Sequence, residues 1–351
     1  MRAALFCGVG QPFEVQEIPK PTPGPGEVLV QVMAAGLCGS DVHIALEGTT
    51  APAYLPMVMG HQAAGLVAEV GAGVTAWVPG DRVSVLPDLV CGNCVNCWEG
   101  RSELCLKRRL IGMHRPGAVA EYVVVPAANL VHLPKPISFE AGAIAADAVA
   151  TPYHALVRVG ALHGGERVLI LGLGALGLHA VSLARALGAS WVGAVTRHPR
   201  AGLRARGADE VRGWEKNPWP EGAYDLVVDF SGHPAIIERG MEALRAGGRL
   251  VLVGISEEPF ATDIAVSFWV RRGIQVIGSY GAHPGDLSEV LSLAERNRIN
   301  LENSITHRFG LDDAFLALQH LADKWGDPIR VAILPDLMDS KPSKLCRPIS
   351  I

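Results

Sequence analysis

The sequence predicts an α/β protein in two parts, a barrel-like all-β region followed by a parallel sheet covered by helices on both faces. Three observations carry this. The chain has 351 residues, enough for two domains with separate cores. Its first 150 residues hold short β-branched runs broken by proline and glycine. From Arg167 onward, apolar strand-like runs alternate with helical stretches, the pattern of βαβ units.

In the first part, Glu27 to Val32 and Ala120 to Val125 read as strands, with turns at Pro23-Gly24-Pro25-Gly26 and Pro79-Gly80-Asp81. In the second, strands are expected at Val168 to Leu171, Trp191 to Val195, Leu226 to Phe230, Leu250 to Val253 and Ile274 to Ile277. A helix is expected over Asp286 to Arg298 and a last strand over Arg330 to Leu334. Residues 336–351 hold two prolines and no apolar periodicity, so they are expected to form an exposed extension. Ser343-Lys344-Leu345 is internal and is no peroxisomal address.

Hydrophobic residues make up 49% and charged ones 19%, which excludes a disordered chain. A net charge of −4 without a basic run argues against nucleic acid as a partner. The longest apolar stretch, Val168 to Ala184, is 17 residues long, contains His179 and Ser182, and is interrupted by three glycines. It fits a buried strand-turn-helix better than a membrane span. Strand-like residues begin at once with Arg2-Ala3-Ala4-Leu5, where a signal peptide would stand. Four of the seven cysteines cluster between Cys91 and Cys105. Clustered thiols without a secretory signal point to metal and to the cytoplasm.

Cys91, Cys94 and Cys97, followed by Cys105, can close a tetrahedron of thiolates around one Zn²⁺, with Gly92 allowing the tight turn. An iron–sulfur cluster or four unrelated thiols are the alternatives. A closed four-thiolate zinc site is structural, because no position remains for substrate.

Gly172-Leu173-Gly174-Ala175-Leu176-Gly177 is a G-x-G-x-x-G run that follows an expected strand and opens a helix to about Leu187, the context a dinucleotide fingerprint requires. Gly172 would make the turn, Gly174 admit the pyrophosphate, and Gly177 let helix pack on strand. A helix N-terminus then faces the phosphates. The acid that usually binds the adenosine ribose is missing: Thr196 lies 19 residues past Gly177, with no carboxylate near it. Arg197 and Arg200 follow instead and suit a 2′-phosphate, so NADP is expected over NAD. Solvated surface arginines are the alternative.

Scattered residues add a third constellation: Cys38, Ser40, Asp41 and His43, then His61 and Gln62, then Asp147. A thiolate, an imidazole and a carboxylate would make a catalytic zinc site with one open position. Spacing alone leaves core packing as the competing explanation.

The order of these motifs, together with the dinucleotide fingerprint, resembles the zinc-containing medium-chain alcohol dehydrogenases over nearly the whole chain, to about Leu334. The resemblance implies a GroES-like catalytic domain over 1–149 and 283–335, a structural zinc lobe at about 88–108, and a Rossmann domain over 150–282, with the active site between the two domains. It implies Cys38, His61 and Asp147 as ligands of a catalytic zinc; many members have Cys at the third position and others Asp. It also implies Asp41 as the acid orienting the ligand histidine, Ser40 as the hydroxyl at the substrate oxygen, and His43 as the outer end of a proton relay. Cys91, Cys94, Cys97 and Cys105 match the structural zinc site, and Arg330 matches an arginine that reaches the cofactor pyrophosphate.

Gln62 departs from the family, which usually has Glu there. A thiolate, a carboxylate and a neutral imidazole around Zn²⁺ sum to zero charge, so Gln62 is expected to alter ligand exchange, as a possible fourth ligand, without removing activity. The expected function is hydride transfer between NAD(P) and a small-molecule alcohol or carbonyl, in a homodimer or homotetramer paired near Ile274 to Ser279, with no membrane partner. A reductase of activated C=C bonds is the enzymatic alternative, and Ser40, Asp41 and His43 argue against it. A non-catalytic binding protein on the same scaffold is the remote one.

Overall fold

A computed structural model describes residues 1–197, 207–214, 219–260 and 262–337. Arg200, and the expected extension beyond residue 337, lie outside the described residues. The described residues divide into two compact units, one of Met1–Asp147, Leu287–Glu295 and residues 300–337, the other within Ala148–Asp286 and Arg296–Ile299.

The first unit is organised by one long strand, Glu27–Leu37. Its first half pairs antiparallel with Tyr122–Pro126 and its second half with Arg330–Leu334. Along its other edge runs Gln62–Val70, followed across the sheet by Arg82–Val85 and Leu130–His132. Ile305–Gly310 extends the sheet beyond Arg330–Leu334 in parallel. The strand buries Val28, Val30, Val32, Ala35 and Leu37 in the main core with Val67, Val83, Val85, Val123 and Val125. Such β-branched faces suit a pleated, half-buried surface. Toward its end the polar alternation gives out, because residues 34–37 are buried on both faces. A small sheet of Glu14–Glu17, Arg2–Phe6 and Met57–Val58 stands apart from it.

The second unit holds six parallel strands in the order Glu210–Gly213, Trp191–Thr196, Arg167–Leu171, Tyr224–Asp229, Leu244–Leu252, Gln275–Gly278. Numbered along the chain this is 3-2-1-4-5-6, the doubly wound order of a dinucleotide-binding sheet. The near-continuous burial of Val168 to Leu171 and of Leu226 to Asp229 follows from helices covering both faces. Five of these strands are expected from the sequence. The sixth, Glu210–Gly213, reads Glu-Val-Arg-Gly; it is short, half-exposed and charged, as an edge strand tends to be. The strand at Leu244–Leu252 starts earlier than expected, through Arg245 and two glycines that break the apolar pattern.

The expected helix at Asp286 starts at Pro284, where a missing N–H costs nothing, and ends at Glu295. Asp286 is fully buried. Its carboxylate accepts from His154 Nδ1 at 2.7 Å, Arg158 Nε at 2.8 Å and the His283 N–H at 2.8 Å. Burial pushes this carboxyl up, and the bonds from His154, Arg158 and His283 outweigh that and hold it below its ordinary value. A depressed carboxylate stabilises the fold above its unfolded value of about 3.9 and loses that contribution as pH falls through the lower folded value. Asp286→Asn should therefore cost about 3 kcal/mol at neutral pH, by leaving buried charge less compensated. Thermal denaturation across pH checks this: the gap in Tm between variant and parent should narrow below about pH 4.

Candidate active site and metal centres

Strand register brings the first cluster together. In the antiparallel ladder Gly36 stands opposite Gln62. Cys38, just past the end of one strand, therefore meets His61, just before the start of the other. Cys38 Sγ lies 3.1 Å from His61 Nε2, and Asp147 Oδ2 lies 3.4 Å from the same nitrogen. Asp147 comes from a π-helical turn, Ala145–Val149. Such turns carry an extra residue per turn and often occur at functional sites.

Tetrahedral coordination at the usual Zn–N, Zn–O and Zn–S lengths requires neighbouring ligand atoms to be about 3.3–3.6 Å apart. Cys38 Sγ and Asp147 Oδ2 each stand at or near that spacing from His61 Nε2. Cys38, Asp41 and His61 also offer atoms within 4.8 Å of one another. Asp41, however, faces the opposite ring nitrogen: its Oδ1 is 3.5 Å from His61 Nδ1, and its Oδ2 accepts from the Cys38 N–H at 2.9 Å. A carboxylate on Nδ1 fixes the tautomer that leaves Nε2 free to ligate.

The electrostatics agree with a site for a cation. Burial pushes the His61 imidazole down, but Cys38, Asp41 and Asp147 outweigh it and hold it well above its ordinary range. Burial pushes Asp147 up, and His61, Arg330 and Gln62 hold it far below the usual carboxylate range. Gln62 Nε2 donates to Asp147 Oδ2 at 2.6 Å. Arg330 is 2% exposed, its charge is coupled to Asp147 and Cys38, and its Nε and Nη2 have no hydrogen-bond partner among the described residues.

Ser40 Oγ lies 2.7 Å from Cys38 Sγ, and Ser40 is exposed. His43 begins a second π-helical turn, His43–Glu47, and its exposed Nδ1 lies 2.6 Å from Glu47 Oε2. Ser40 thus borders the buried cluster, and His43 follows it three residues later on the surface.

The four remaining motif cysteines sit in a lobe closed by a two-residue ladder, Asp88–Leu89 with Arg109–Leu110. Gly92 takes φ +68°, and Asn96 Nδ2 donates to the Leu104 carbonyl at 2.5 Å. Sulfur–sulfur distances are 3.5 Å for Cys94–Cys97, 4.0 Å for Cys94–Cys105 and 3.5 Å for Cys91–Cys105. Four sulfurs around Zn²⁺ at 2.3 Å stand about 3.8 Å apart. Backbone N–H groups of Leu106 and Cys97 draw the Cys94 thiol down to about 6, while burial and its thiol neighbours push Cys97 up to about 11. Four thiols this close cannot all ionise unaided, and a dication resolves the conflict.

In the second unit, Gly172 follows its strand with φ +88°, Gly174 caps the helix Ala175–Ala186, and a methyl on Gly177 would overlap the Gly172 carbonyl. Ala175 and Leu176 open that helix at the point where the strand order reverses, between Arg167–Leu171 and Tyr224–Asp229. Thr196 ends its strand, and its carbonyl accepts from the Trp214 N–H at 3.0 Å. The exposed Arg197 guanidinium stacks on Trp214, 4.4 Å from the ring centroid.

Two family models match the sequence: the alcohol dehydrogenase GroES-like domain over residues 24–135 and the zinc-binding dehydrogenase model over residues 175–296. L-threonine 3-dehydrogenase of Pyrococcus horikoshii is 33% identical over 331 residues, covering 88% of this chain and 91% of that protein. The chain belongs to the zinc-containing medium-chain dehydrogenase family. Sorbitol dehydrogenase of Halalkalibacterium halodurans is 30% identical over 342 residues, covering 92% of this chain and 96% of that one. The NADP-bound crystal structure of a zinc-binding dehydrogenase from Sinorhizobium meliloti has a TM-score of 0.86 and 29% identity, covering 95% of this chain and 99% of the other.

Beyond the family motifs, three neighbours escape sequence reasoning. Glu47, four residues after His43, carries the only local signal, its i,i+4 spacing. Trp214 follows the unexpected edge strand. Asp229 ends the fourth strand and holds the adjoining loop by accepting from the N–H groups of Ser231 and Gly232 at 3.0 and 2.9 Å. Among the described residues, no helix is long and apolar enough to cross a membrane.

Proposed function

We propose that this dehydrogenase oxidises a small-molecule alcohol and reduces the corresponding aldehyde or ketone, holds two zinc ions per chain, and prefers NADP to NAD. The observation that carries this reading is the approach of Cys38 and Asp147 to the same nitrogen of His61, with the Ser40 hydroxyl on Cys38.

Cys38, His61 and Asp147 would hold the catalytic zinc, and Cys91, Cys94, Cys97 and Cys105 the structural one. Catalytic zinc supplies Lewis acidity at the substrate oxygen, and the nicotinamide supplies or accepts hydride. The chain's own groups do the rest. Asp41 keeps the His61 ring in its ligating orientation. Ser40 would accept the alcohol's hydroxyl proton while passing on its own, and exposed His43, paired with Glu47, is the group that exchanges protons with solvent at the outer end of the relay. Arg330 offsets the buried charges of Cys38 and Asp147, and its two unpartnered N–H groups suit a cofactor phosphate. Gly172, Gly174, Ala175, Leu176 and Gly177 form the pyrophosphate turn.

Elemental analysis of the purified protein should give two zinc ions per chain. A single zinc retained in a chain whose four-cysteine lobe is intact would refute the catalytic ligand set. Cys94→Ser should lower Tm or abolish folding, because a closed thiolate site contributes directly to folding; an unchanged Tm counts against it.

Ser40→Ala should reduce the turnover of alcohol oxidation by about 100-fold, the scale of a positioned proton-transfer group. Cofactor binding should barely change. Steady-state kinetics in both directions, with an enone panel beside the alcohols, separates this from C=C reduction.

The cofactor preference rests on Thr196 standing where an acid would repel a 2′-phosphate, on Arg197 beside it, and on Arg200 beyond the described residues. Stacking on Trp214 keeps the Arg197 guanidinium at the end of its strand. One charge-assisted contact in an exposed cleft contributes about 1.5–3 kcal/mol before screening, or about 10- to 100-fold. Fluorescence titration should show Arg197→Ala losing affinity for NADP while affinity for NAD stays nearly constant. Tighter binding of NAD than NADP by the parent protein would overturn the preference.

A further inference from the structure

Gln62 stands where the family usually has an acid, and in this chain its surroundings give it a different task. The side chain is 0% exposed, and its amide nitrogen donates to Asp147 Oδ2 at 2.6 Å. An ionised carboxylate only accepts, so the nitrogen end of the amide must face it. Glutamate in the same place would offer no donor to that oxygen, because an ionised carboxylate only accepts. The amide holds the oxygen that also lies 3.4 Å from His61 Nε2.

Space for this contact comes from a second residue. Gly36 faces Gln62 across the ladder, and a methyl built on Gly36 would overlap Gln62 Oε1 and lie 3.2 Å from its Cβ and Cδ. Buried Oε1 itself has no hydrogen-bond partner among the described residues. A methionine of similar volume would fill the site without burying an unmatched acceptor, so packing does not account for the amide.

We propose that Gln62 is a positioning residue: a neutral donor, given room by Gly36, that holds the Asp147 carboxylate oxygen aimed toward His61 and Cys38. The inference rests on the reading of Asp147 as a metal ligand, and it deepens that reading by assigning what aims the ligand.

The test uses the full-length protein loaded with Co²⁺, followed by visible absorption and by the rate of metal loss to EDTA. Gln62→Met should release the metal at the Cys38 site about 10- to 100-fold faster than the parent, the usual effect of losing a group that orients a ligand. Its absorption bands should shift, while the four-cysteine site keeps its parental rate and serves as the folding control. Gly36→Ala pushes the amide aside without removing it, and should move both readouts in the same direction even if Gln62→Met folds poorly. Parental rates and spectra in both variants would overturn the inference alone. A parent protein that binds cobalt only at the four cysteines would overturn the ligand reading of Asp147 together with the inference.

Discussion

The antiparallel pairing of Glu27–Leu37 with Gln62–Val70 is the constraint on which the candidate active site depends. Its register sets Gly36 opposite Gln62, and with them the strand ends that carry Cys38 and His61. A slip of one residue would turn every side chain on the strand to the other face of the sheet. Burial resists such a slip, because Val28, Val30, Val32 and Leu37 would leave the core in the same movement. Arg330–Leu334 pairs with the far edge of the same strand and aligns Ala332 with Gly36. Arg330 thereby reaches the charged cluster from a segment almost 300 residues away in sequence.

A second theme is charge held out of water. Cys38, Asp41, His61 and Arg330 are buried, with half-buried Asp147 against them, in a region where each charge alone would be costly. They are tolerable together because anionic and cationic groups alternate and because the neutral amide of Gln62 adds a donor without adding charge. The same logic acts at Asp286, where one buried carboxylate gathers an imidazole, a guanidinium and a backbone N–H. In the four-cysteine lobe it acts on thiols, with backbone N–H groups favouring the thiolate of Cys94.

Irregular backbone supplies the aim that regular elements cannot. Asp147 and His43 both lie in π-helical turns, where an extra residue rotates the side chain relative to an α-helical course. In the parallel sheet the same need is met by glycine: at φ +88° Gly172 turns the chain sharply, and the missing side chain at Gly177 lets the helix settle against that turn.

What the sequence determined by itself was local. Four cysteines within fifteen residues, and three glycines within six between a strand and a helix, can be read because their chemistry needs only neighbouring residues. The alternation of strands and helices likewise exposed five of six parallel strands, since burial on both faces leaves a continuous apolar run. Cys38, His61 and Asp147 span more than a hundred residues, so their union was legible only through family resemblance and not from spacing. The edge strand Glu210–Gly213 left no apolar signature, and with it went any sign that Trp214 would lie under Arg197. Only tertiary structure decided that Gln62 donates to Asp147, because a hydrogen bond across 85 residues depends on strand register and on an empty space at Gly36.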